Sequence, residues 1–111
     1  MLGEHTMEEQ QLWTRLKESL GDKINESSSM SDIELSEIDG QLTARRNKPI
    51  LRKVVLSFTG PAPLIYIHYE KDNASPGIRA FRVEGGHLID STTNASLEVD
   101  QLVATLLNFI R

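Results

Sequence analysis

The 111 residues include 39% hydrophobic and 25% charged side chains, with a formal net charge of −4. This is the length of one domain and the composition of an ordinary globular protein, which excludes a fully disordered chain. The longest apolar runs fall far short of the ~18 residues that a membrane-spanning helix needs, and the lack of cysteine excludes disulfide frameworks, thiolate metal sites and cysteine nucleophiles.

The first segment reads as an amphipathic helix. Thr6 and Glu9 have the spacing of a capping box. Leu12, Trp13, Leu16 and Leu20 form one apolar stripe. Gly21 is the expected stop, with Ile24 a further turn of the stripe if the helix continues. Residues 25–31 are polar and serine-rich and read as a linker. Residues 32–46 fit three readings. Ser31 to Glu34 can cap a short helix, Asp39-Gly40 can turn a two-residue hairpin, and an irregular loop is the third. Residues 25–48 are therefore expected to be a flexible or irregular connection within a single domain spanning 1–111.

From Ile50 onward the pattern becomes that of strands. Ile50–Thr59 is rich in β-branched residues, and Gly60-Pro61-Ala62-Pro63 breaks it. Leu64–Tyr69 is the strongest strand, with Ile65, Ile67 and Tyr69 facing the core and Tyr66 and His68 outward. A turn over 71–77 leads to a strand at Ile78–Glu84, and Gly85-Gly86 turns the chain into His87–Ser91. Such short links permit only antiparallel neighbours. The chain closes with a helix, capped by Asn94 or Ser96, whose face carries Val99, Leu102, Val103, Leu106 and Ile110. The expected fold class is α+β: two amphipathic helices flanking a four-stranded antiparallel meander, in the order α-β-β-β-β-α, with an extra hairpin or short helix at 32–46.

No phosphate-loop, dinucleotide, nucleophile-elbow or zinc-protease motif occurs. His68 and Glu70 share a strand face, and His87 or Asp90 can approach only from another strand. A metal or acid–base site needs at least three such groups to converge, and a half-exposed strand histidine is the simpler reading. The expectation is a protein without cofactor or catalytic activity. Asp32, Glu34, Glu37 and Asp39 read as a solvated acidic face.

Charge divides unevenly, −7 over residues 1–40 and +3 over 41–111. Arg45, Arg46, Lys48, Arg52 and Lys53 crowd the start of the strand region, and Arg79 and Arg82 follow on a later strand. These cations can bind phosphates or carboxylates, or they can protect an edge strand from unwanted pairing. Because side chains alternate, Arg52 and Lys53 point to opposite faces. Tyr66 and His68, with Arg52 or Arg79, can make an amphipathic binding face of the composition favoured at interfaces. Nucleic acid is the less favoured partner, since the chain is acidic overall with a pI near 5.3.

The function these features point to is protein–protein interaction. A small adaptor, inhibitor, immunity-type or secretion-chaperone-type protein would dock through its sheet face, an edge strand or a helix stripe. Wide helix stripes leave room for a homodimer. The alternative is a nucleic-acid-binding module using 45–53. With no leader or anchor pattern in the sequence given, the expected location is cytoplasmic, away from membranes.

Overall fold

The computed structural model describes residues 7–59 and 64–111. The capping box at Thr6 and the Gly60–Pro63 turn lie outside the described residues. The fold is α+β, with two helices and one antiparallel sheet. The sheet has seven strands where the sequence pattern gave four. They are β1 (Glu34–Ile38), β2 (Gln41–Arg46), β3 (Arg52–Thr59), β4 (Leu64–Lys71), β5 (Gly77–Glu84), β6 (His87–Asp90) and β7 (Ser96–Leu97). Each pairs with the next in chain order, so the sheet is a meander with β1 and β7 at its edges.

Helix α1 covers Met7–Glu26 and does not stop at Gly21. A side chain at Gly21 would meet only Leu35 Cδ1, at 3.9 Å, so this glycine serves neither a turn nor a close approach. The last turn buries Ile24, whose apolar gain outweighs the ~1 kcal/mol that glycine costs a helix.

The expected linker over 25–48 is ordered instead. A 3-10 turn at Ser28–Met30 buries Met30, and Ile33 follows it into the core. β1 and β2 then form a hairpin around Asp39 and Gly40, both with positive φ (52° and 78°). These are the left-handed angles a type I′ turn requires, so the hairpin reading of 32–46 is the one realised. Gly85 and Gly86 turn β5 into β6 in the same way, at 57° and 78°.

The end of the chain differs from expectation too. Ser96 and Leu97 pair with β6 as β7, and helix α2 runs Val99–Ile110 with Glu98 as its cap. The Glu98 amide donates to Gln101 Oε1 at 2.8 Å.

Both helices pack on one side of the sheet. Register places Leu42, Ala44, Val54, Leu56, Ile65, Ile67, Phe81, Val83 and Leu88 on that side, all buried. They meet Leu12, Trp13, Leu16 and Leu20 of α1 and Leu102, Val103, Leu106 and Ile110 of α2. The two helices touch each other as well, with α2 over β2 and β3 and α1 reaching β5. The helix stripes that left room for a dimer are thus consumed by the chain's own core. Trp13 packs on Phe58 with ring centres 5.6 Å apart, and Tyr69 meets the edge of Phe109 at 5.1 Å. No helix among the described residues is long and apolar enough to cross a membrane.

Candidate functional site

The side of the sheet away from the helices carries the alternate residues of every strand. Reading across the pairings, Thr43, Val55, His68 and Ile78 form one row, and Gln41, Ser57, Tyr66 and Ala80 the next. Leu64, Arg82, Ile89 and Ser96 continue a third row with Thr59. None of these residues belongs to the core cluster. The face nevertheless has an apolar middle made by Val55, Leu64, Tyr66, Ala80 and Ile89, with Ile78 beside them at 58% exposed. In an ordinary half-solvated sheet these positions would be polar.

Charges surround the apolar middle, and most are matched within the chain. Arg45 Nη2 meets Glu34 Oε2 at 2.7 Å, Arg82 Nε meets Glu84 Oε2 at 2.7 Å, and Lys53 Nζ stands 3.7 Å from Glu70 Oε1. Arg82 Nη2 also donates to Asn94 Oδ1 at 3.2 Å. Toward β1 the face dips into a shallow hollow of about 390 Å³ lined by Glu34, Ser36, Thr43, Arg45 and Lys53, among others. Neither His68 nor the Tyr66 hydroxyl has a polar partner among the described residues.

The basic residues are not gathered onto one surface. Arg45, Lys53 and Arg82 lie on the uncovered face, as do Tyr66 and His68. Arg46, Arg52 and Arg79 lie on the helix side. Arg52 and Arg79 therefore do not join Tyr66 and His68. Register sets Arg79 opposite Ile67, on the core parity of Phe81 and Val83. Arg46 binds Asp32 at 3.0 Å and the Ser29 carbonyl at 2.9 Å, fastening the 3-10 turn to β2. This donor also holds the Asp32 carboxyl below its ordinary pKa. Arg52 Nη1 donates to the Ile110 carbonyl at 3.2 Å, where α2 leaves its last carbonyls unpaired. Lys48 is exposed in the β2–β3 connection, with no partner among the described residues.

The candidate acid–base groups diverge in the same way. Asp90 is buried at 4% exposure on the helix side, opposite Phe81. It accepts from Arg79 Nη2 and from the amides of Thr92 (2.8 Å) and Thr93 (3.3 Å). The Arg79 bond, aided by those amides, lowers the Asp90 pKa and raises that of Arg79. Arg79 also lies over the Phe81 ring, 5.1 Å from its centre. The Tyr69 hydroxyl is buried nearby without a hydrogen bond of good geometry, and burial pushes its pKa up. His87 Nδ1 is 2.8 Å from Glu98 Oε1. His68, Glu70, His87 and Asp90 thus serve three separate places, and no group of three or more metal-ligating side chains forms among the described residues.

Sequence reasoning missed the apolar members of the uncovered face other than Tyr66. Val55, Ala80 and Ile89 each stand beside an apolar residue of the packed face, Leu56, Phe81 and Leu88, which masks them, whereas Ile78 stands between Gly77 and Arg79. No family model, curated protein or solved structure matches the chain.

Proposed function

We propose that the chain is a non-catalytic interaction module that binds another protein through the uncovered face of its sheet. The observation that carries this reading is the half-buried apolar middle around Tyr66, with exposed Ile78 beside it, on the face opposite the packed core. Interfaces have this anatomy: aromatic and aliphatic side chains at the centre and polar groups at the rim. The rim cations are already paired with acids of the same face. A partner need bring no compensating charge, so the fitting partner presents an apolar patch of low net charge. Nucleic acid gains less support, because the 45–53 cations are spread over two faces and a connection, and four of the five are held by other groups.

The test is affinity capture with immobilised protein. Wild type should retain a partner in high and low salt alike, since apolar contact is not screened. Ile78→Asp should lose it while keeping the wild-type unfolding midpoint. Lys48→Ala should bind as wild type does. Retention by Ile78→Asp, or capture that collapses steeply as salt rises, would refute this reading; the latter is the signature of phosphate contacts.

A further inference from the structure

We infer that β1 is a self-pairing edge, along which two copies of this chain join antiparallel strands about a two-fold axis at Ser36. This uses a different surface from the partner-binding face and does not rest on it.

The two edges of the sheet are unequal. β7 is two residues long and runs straight into α2, so it offers no template. β1 is five residues long, has no proline, and pairs with β2 in unbroken register. Around a two-residue type I′ turn, the flanking residues Ile38 and Gln41 exchange both hydrogen bonds. Alternation then directs the backbone groups of Ile38, Ser36 and Glu34 toward β2, and those of Leu35 and Glu37 away from the sheet. The outward donors and acceptors at 35 and 37 are spaced for another antiparallel strand.

A second β1 fits that edge in one symmetric register. With Ser36 facing its own copy, Leu35 falls opposite Glu37, and each outward backbone pair finds its mate. Glu34 falls opposite Ile38, which is 68% exposed in the single chain. No glutamate faces a glutamate, so the repulsion that directly opposed like charges would cause is avoided. The edge acids also reach the seam neutralised. Glu34 is bound by Arg45 at 2.7 Å and Glu37 by Lys17 at 2.6 Å. Natural sheets blunt an edge with lysine, proline, a bulge or an inward charge. β1 has only the last of these, at Glu37, and Lys17 cancels it. Joined in this way, two chains share one continuous sheet, and their partner-binding faces lie side by side.

The chain has no cysteine, so single-cysteine variants report the geometry directly. In the two-fold register the Ser36 positions form a non-hydrogen-bonded pair, with α-carbons roughly 4.5 Å apart, inside the span a disulfide bridges. Positions 34 in the two copies are four residues out of step and stand roughly 14 Å apart, beyond the ~7 Å limit. Under a mild oxidant such as diamide, Ser36→Cys should form a covalent dimer at least about tenfold faster than Glu34→Cys. Sedimentation equilibrium should show a concentration-dependent dimer for wild type. Ser36→Lys, which sets two lysines face to face, should be a monomer whose unfolding midpoint does not vary with concentration and equals that of wild type at concentrations where wild type is monomeric. Equal cross-linking at 34 and 36, or a wild-type chain that stays monomeric across the concentration range, would overturn the inference.

Discussion

The two faces of the sheet are built from the same strands with the same alternation, yet they are finished differently. On the helix side the central strand positions are filled against α1 and α2, and two of the polar groups that intrude are tied down. Asp90 holds Arg79 and two loop amides, and Arg52 closes the end of α2. On the other side Val55, Leu64, Tyr66, Ala80 and Ile89 are half-buried and belong to no core cluster among the described residues. The helix side accounts for why the protein folds. The apolar residues of the open side are only half-buried and stabilise the fold less, and the surface they leave in water supports a role in binding.

Adjacent residues of β3 make the sharpest test of that contrast. Leu56 is fully buried on the helix side and Val55 lies on the open one. Leu56→Ala should cost about 2–5 kcal/mol in urea unfolding, and Val55→Ala less than about 1 kcal/mol. Similar losses would show that something covers the open face in the folded chain.

A smaller effect is expected from the pair between buried Asp90 and half-exposed Arg79. Asp90→Ala leaves Arg79 and two amides without their acceptor and should cost about 1–3 kcal/mol at neutral pH. Its pH dependence has a definite sign. The folded carboxyl titrates below its ordinary value, so between the folded and unfolded pKa values the unfolded chain binds more protons. The stabilisation is complete above the ordinary aspartate pKa of roughly 3.9 and is lost as pH falls through the folded value. Unfolding midpoints measured across the acid range should fall less steeply in Asp90→Ala than in wild type. The rim pairs of the open face should matter least. Arg82→Ala should change stability by less than about 1 kcal/mol, and any change should shrink with added salt. A loss as large as that of Asp90→Ala would make the rim structural.

What the sequence disclosed follows from how strongly each element depends on local chemistry. Two glycine-bearing turns were legible because few residue pairs besides Asp39-Gly40 and Gly85-Gly86 tolerate successive positive φ angles. The α2 stripe was legible because six of its positions repeat at helical spacing into one core. β1 and β7 were not. β1 carries Glu34, Ser36 and Glu37 at an edge where only Leu35 is half-buried, and β7 is too short to show a period. The side taken by Arg79 could have been read from its parity with Phe81 and Val83. The burial of Asp90 could not, since it depends on a loop folding back to present the Thr92 and Thr93 amides. At the candidate site, Tyr66 and His68 were placed by simple alternation. The remaining apolar residues were hidden because a strand apolar on both faces looks the same as one buried on both.

Receipt of another protein on the open face can be caught in place. Site-specific photo-cross-linking in the native host tests it most directly, with Tyr66→benzoylphenylalanine on that face and the same analogue at Glu18, exposed on α1. One discrete heavier adduct, of a mass other than twice the chain, is expected from position 66, and none from position 18. No adduct from 66, an adduct at twice the chain mass, or equal adducts from both positions would contradict it.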